Sequence, residues 1–248
     1  MATKKKMLEA AAGGAGGAGL NITDVFSTYL YEGNGSARTI TNGIDLATEG
    51  GLWWSKQRTS TGNNTLFSTA RGANRFLNTN TTGVDSAGGS DYISFNTDGI
   101  SILSGANSGN SGWNTSYQDY TSWTFRKAKK FFDVVTYTGN SVTTAISHDL
   151  GSTPGMILVK RTDTAAAWTV YHRSNTAAPE TDYLVLNTTA ATADYNGMWG
   201  DTAPTDTHFT VGNALETNAS PGTYIAYLFA HNDGDGEFGP DADQDIIK

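Results

Sequence analysis

Apolar residues along this chain come in short bursts, and most bursts alternate with polar positions. Residues 120–126 read Tyr-Thr-Ser-Trp-Thr-Phe-Arg. A period of two sets Trp123 and Phe125 on one face of a strand. The same pattern predicts strands at 52–56, 65–68, 92–95 and 99–102, and again at 132–136, 156–161, 168–171, 183–186, 209–211 and 223–230. Ile157-Leu158-Val159 is an unbroken apolar run, which suits a strand covered on both faces. The turn cluster Gly151-Ser152-Thr153-Pro154-Gly155 precedes it. No helix longer than two turns is predicted. The expected class is all-β, with short strands in sandwich or jelly-roll-like units.

The chain also repeats itself. Tyr31, Gly33 and Asn34 return as Tyr137, Gly139 and Asn140. Asp45-Leu46 returns as Asp149-Leu150, Lys56 as Lys160, and Arg71 as Arg173. Phe76-Leu77 with Asn80-Thr81-Thr82 matches Tyr183-Leu184 with Asn187-Thr188-Thr189 without a gap. Tyr120, Trp123 and Phe125 match Tyr224, Tyr227 and Phe229 in the same way. The spacing stays near roughly 105 residues throughout, as turn insertions in a shared fold would allow. This divides the chain into an N-terminal arm (1–25), a first β-sandwich repeat (26–130), a second (131–231), and an acidic linker (232–248). The linker ends in Asp245-Ile246-Ile247-Lys248, which resembles the opening strand of the repeat begun a third time.

Composition agrees with strands and tight turns. Apolar residues are 38% and charged residues 16%, and the remainder is rich in Gly, Thr, Ser and Asn. A net charge of −8 repels nucleic acid over most of the surface. With no cysteine there is neither a disulfide framework nor a thiolate metal site. No apolar run approaches the ~18 residues of a membrane-spanning helix. The first residues are basic at Lys4, Lys5 and Lys6, continue through Met7 and Leu8, and become nearly pure Gly and Ala by residue 13. A signal peptide shares the basic head, but Glu9 and glycines stand where its apolar centre belongs. An arm that orders only against a partner fits better, with Lys4 to Leu8 as its contact residues. So many glycines are costly to fix otherwise, and plain disorder is the simpler alternative.

Candidate chemistry is sparse. His148 precedes Asp149, the sequence form of an imidazole–carboxylate pair, but its counterpart in the first repeat is Ile44. His172 has Ala70 as its counterpart. Gly33-Asn34-Gly35 and the glycines of 105–112 lack the lysine of a phosphate loop and read as turns. Within the repeats the glutamates are Glu32, Glu49, Glu180 and Glu216, so general acids are few; Glu180 or Asp182 is the carboxylate to change in a test for glycan depolymerase activity, which the sequence gives no positive reason to expect. Asp233, Asp235 and Glu237 present hard oxygens at alternate positions, as Ca²⁺ prefers. Phe238 falls where an EF-hand needs its glycine, so a solvated acidic linker is the plainer reading, and no cofactor is expected. Exposed aromatics can stack on sugars, and Trp199 between Gly197 and Gly200 is the tryptophan to test as a surface contact.

Five phrases carry a resemblance, four of them long. The long ones are Leu20-Asn21-Ile22-Thr23-Asp24-Val25-Phe26-Ser27-Thr28-Tyr29-Leu30-Tyr31, Ser122-Trp123-Thr124-Phe125-Arg126-Lys127-Ala128, Phe131 to Asn140, and Tyr224 to His231. With Pro154-Gly155-Met156-Ile157 they resemble the virion structural proteins of marine tailed phages, especially cyanophages, often described as tail-fibre-like. Trp53-Trp54-Ser55 departs from the pattern, where an aliphatic residue is expected before the lysine. The resemblance implies a non-enzymatic component of a phage virion. It would be assembled in the bacterial host cytoplasm and exposed on the particle exterior as the attachment module of a tail or capsid fibre. Its implied partners are other virion proteins (capsid, tail or adaptor) and further copies of itself, a trimer being the usual fibre state. The alternative is an adhesin module for host-surface glycan.

Overall fold

The computed structural model describes residues 20–88, 90–103 and 112–231. Its chain follows the all-β expectation, and the three helices among the described residues are single turns: α1 (Ile22–Val25), α2 (Asn196–Trp199) and α3 (Leu215–Asn218). Two six-stranded antiparallel sheets dominate. Sheet I contains β1 (Phe26–Glu32), β3 (Gly51–Gln57), β4 (Asn64–Ser68), β5 (Arg75–Asn78), β6 (Ser86–Ala87) and β9 (Asp119–Arg126), in the order β1-β9-β3-β4-β5-β6. Sheet II contains β10 (Phe132–Thr138), β12 (Pro154–Arg161), β13 (Trp168–His172), β14 (Asp182–Val185), β15 (Ala193–Asp194) and β17 (Thr223–Ala230), in the order β10-β17-β12-β13-β14-β15. Slot for slot, the two orders are the same.

Each large sheet carries a smaller one on its outer face. Over sheet I lie β2 (Arg38–Thr41), β7 (Ile93–Asn96) and β8 (Gly99–Ile102), ordered β2-β8-β7. Ile40, Ile93, Ile100 and Ile102 from these strands share one core with Trp53, Phe67 and Tyr120 of sheet I. Over sheet II, β11 (Thr144–Ser147) pairs with β16 (His208–Val211), and Phe209 and Val211 pack with Ile157, Val159 and Leu228. The inner faces of the large sheets meet each other. Leu52, Leu66 and Leu77 of sheet I join Phe132, Leu158, Trp168, Val170, Tyr227 and Phe229 of sheet II in a third core. Phe125 and Phe229, which occupy the same slot in the two halves, touch across this seam with ring centroids 5.3 Å apart. The repeats are thus stacked face to face into four layers, and not strung end to end.

Alternation explains which residues go where. In β9, Tyr120, Ser122 and Thr124 are buried toward the small outer sheet, while Trp123 and Phe125 take the seam face. β17 and β12 are buried almost throughout, as the run Ile157-Leu158-Val159 requires, because each lies inside a sheet covered on both sides.

The two halves also repeat one polar corner. Tyr31 stacks on Tyr120 at 5.0 Å, and Tyr137 stacks on Tyr224 at 5.2 Å. The Tyr120 hydroxyl accepts the Thr115 N–H, and the Tyr224 hydroxyl accepts the Ala219 N–H. Asn114 Oδ1 accepts the Asn34 N–H at 3.2 Å while its Nδ2 donates to Asn34 Oδ1 and the Ser36 carbonyl. Asn218 treats Asn140 and the Val142 carbonyl in the same way. Both asparagines are 1% exposed, so these bonds offset the desolvation of their amides.

A shared seam core has a thermodynamic consequence. The full chain is expected to unfold in one cooperative transition, because opening the seam exposes the inner face of both sheets. Separately expressed segments 20–130 and 131–231 are expected to lack a cooperative melt. Calorimetry on all three proteins checks this, and two resolved transitions in the full chain would contradict it.

Candidate functional site

The seam carries polar groups as well as apolar ones. Arg71 pairs with Asp85, with both side chains nearly inaccessible, and Arg75 reaches the other Asp85 oxygen at 3.2 Å. Arg71 also donates to the Leu66 carbonyl and the Ser68 hydroxyl, so its charge is fully coordinated. The Asp85 N–H then crosses to the Thr162 carbonyl of the second half at 2.9 Å. Nearby, the Ala166 N–H donates to the Thr82 carbonyl, and the Trp168 indole donates to the Asn78 carbonyl at 3.1 Å. These contacts fix the register of one half on the other.

Lys160 is the unusual member of this group. Its residue is 0% exposed, and its ammonium donates to the Arg161 carbonyl at 2.6 Å and the Thr82 carbonyl at 3.4 Å. Burial, helped by the neighbouring Arg161 charge, pushes its pKa down to about 8. The Tyr227 hydroxyl lies in the same region, and burial raises its pKa.

Clefts open on the surface of the described residues, two of them at this seam. One, about 400 Å³, has Arg71, Arg75 and Asp85 on one wall and Thr136, Thr162 and Thr223 on the other. A second, about 300 Å³, lies between Trp54 and Asn64 of the first half and Leu186 and Asn187 of the second. A third, about 440 Å³, is polar and belongs to the first half alone, with Gln57 and Gln118 joined at 2.8 Å in its wall.

The predicted site residues are placed as follows. His148 is not an exposed base. It is 6% exposed, its Nδ1 accepts the Leu150 N–H, and burial lowers its pKa. His172 ends β13 and its Nδ1 accepts the Ser174 N–H at 3.2 Å, closing a turn. Trp199, expected on the surface, is a correction: it is 2% exposed, stacks edge-on to Tyr171, and donates to the Asp182 carbonyl at 3.1 Å. Its flanking glycines permit this burial, since Gly200 takes a left-handed φ of 60° and a Cβ at Gly197 would strike the Tyr195 ring. Asp182 accepts the Thr176 hydroxyl. The anchor residues Lys4, Lys5, Lys6, Met7 and Leu8 lie outside the described residues, as do Asp233, Asp235 and Glu237. Among the described residues no cluster of three or more His, Asp or Glu is placed to hold a metal, and no helix is long and apolar enough to cross a membrane.

Sheets and seam together define an all-β sandwich module. Residues 21–241 match the family model described as Domain of unknown function (DUF7483), and the chain belongs to that family. No curated protein and no solved structure matches it.

Two pH effects follow from the buried groups. Lys160 is charged at a cost below about pH 8, and that cost lifts as pH rises toward its unfolded value near ~10.4. Between pH 8 and 10.5 the protein should therefore gain about 2 kcal/mol on its Lys160→Met variant, measured by denaturant melts. A constant difference would contradict the buried ammonium. His148 is held neutral, so folding loses stability as pH falls through the unfolded value near ~6.5. His148→Ile, which copies Ile44 of the first half, should lose less stability than the wild type between pH 7 and pH 5.

Proposed function

We propose that the chain is a non-enzymatic structural component of a phage virion, the attachment module of a fibre or surface appendage. The observation that carries this reading is where the shared phrases fall. Residues 20–31, 122–128, 131–140 and 224–231 form β1, β9, β10 and β17, the paired strands that bring Phe125, Phe132 and Phe229 to the seam. The resemblance therefore lies on the residues that determine the architecture. A four-layer block with three linked cores suits a stiff part that holds its shape while attached to something larger. Its partners are other virion proteins, reached through residues 1–19, and further copies of itself, taken as a trimer. The particle exterior is its place of action.

A second reading is favoured by one feature. The cleft at Trp54 joins an indole to amides and hydroxyls, the composition of a sugar subsite. On that reading the module is also a host-surface carbohydrate adhesin.

Deleting residues 1–19 should leave the melting temperature unchanged and abolish incorporation into particles, scored by mass spectrometry of purified virions. Substituting Lys4, Lys5 and Lys6 by Ala should reduce incorporation in the same assay. Normal incorporation of the deleted form would refute the attachment role.

A further inference from the structure

We infer that the seam cleft at Trp54 binds one unit of a neutral saccharide, a site-specific form of the adhesin reading on which it rests. Its walls come from both halves. Trp54 and Leu186 supply apolar surface, Asn64, Asn80 and Asn187 supply amides, and Thr188 and Thr189 supply hydroxyls. No charged side chain lines it. A sugar ring has the matching character, with an apolar C–H face and a rim of uncharged hydroxyls that each donate and accept.

Two polar atoms of the lining residues lack partners. The Trp54 indole N–H and the Asn64 Oδ1 are both buried, and neither is hydrogen-bonded among the described residues. One is a donor and the other an acceptor, on the paired strands β3 and β4. Leaving such atoms unmet costs stability; both are closed to solvent, so the polar groups open to a ligand are those of Asn80, Thr188 and Thr189. Trp54 is also held in place. Its ring meets Trp123 edge-on at 5.7 Å, so little side-chain freedom is lost when a ring stacks on it.

Comparison of the halves shows why the cleft is open. The Asn64 N–H donates to Asn80 Oδ1 at 2.9 Å, and the Trp168 N–H donates to Asn187 Oδ1 at 2.8 Å, so Asn64 and Trp168 hold the same slot. On the flank of the seam that Trp168 occupies, its indole is fully buried and bonded to the Asn78 carbonyl across the seam. In the first half the smaller Asn64 lines the cleft, and Leu186, whose N–H donates to the Trp168 carbonyl, remains 39% exposed beside it.

The test titrates the full chain with maltotriose, cellotriose and mannotriose, followed by calorimetry and tryptophan fluorescence, with trigalacturonate as the charged comparison. At least one neutral trisaccharide should bind saturably and shift the fluorescence, and trigalacturonate should not bind more tightly. Asn64→Trp copies the residue in the same slot of the second half and should weaken binding by about tenfold or more. The rim variant Leu186→Glu should weaken it too, and it keeps the test intact should Asn64→Trp lower the melting temperature. Absence of saturable binding by all three neutral sugars overturns the proposal, as does unchanged affinity in both variants. A glycan array separates the two levels: array binding that survives both variants overturns this cleft and leaves the adhesin reading standing, whereas a blank array overturns both.

Discussion

The face-to-face contact between the two six-stranded sheets is the constraint on which the rest depends. Each sheet is apolar on both sides, as β12 and β17 show, so a small sheet on the outer face covers only half of what must leave water. The inner faces cover each other, with Phe125 against Phe131, Phe132 and Phe229. Burial at about 25 cal/mol per Å² makes such a face costly to expose, and the polar contacts are arranged around it. Arg71 and Asp85, Lys160, and the Trp168 indole all sit where the seam's apolar centre gives way to its flanks. They add direction to a contact that apolar burial alone would leave free to slide.

Much of this architecture is legible in the chain. Period-two alternation locates most of the central strands, because those strands bury one face or both and their pattern is strong. The repeated phrases have specific roles. Tyr31 and Tyr137 anchor matching corners, and Asn80 and Asn187 each accept the first N–H of a neighbouring strand. Strands β1, β2, β5 and β11 are less visible, since β1 lies at a sheet edge and the others are four residues long with mixed burial. The buried amides of Asn114 and Asn218 also escape a pattern reading. In a chain this rich in Asn, only their shared position six residues before Tyr120 and Tyr224 distinguishes them. Trp199 misleads because glycine neighbours usually mark a turn at the surface, and here they make room for the Tyr195, Thr143 and Thr210 side chains beside a buried ring. The seam itself has no sequence signature: a strand covered by a small sheet on one side and a sister repeat on the other reads simply as apolar.

Differences between the halves are as informative as their likeness. Ile44 and His148 fill one buried slot, an aliphatic side chain in one half and a neutral imidazole in the other. Lys56 and Lys160 share another. Lys56 donates to the Gly62 carbonyl from a half-buried position within its own half, whereas Lys160 points into the seam and reaches Thr82. Burial of an ammonium with only carbonyl partners is unfavourable, and the second half tolerates it where the two halves are joined. The first half has no such burden at its lysine.

The same logic bears on the seam cleft. If the duplication served packing alone, the slot shared by Asn64 and Trp168 would be expected to close both flanks with similar bulk. A tryptophan there buries a large apolar area and satisfies its own N–H on the opposite half. An asparagine in the related slot forgoes that burial and leaves its own oxygen and the Trp54 N–H unmet, a combination that lowers stability for no packing return. The slot opens on one cleft, where Trp54 and Leu186 offer apolar surface among amides and hydroxyls, the character a neutral ligand of matching shape can use.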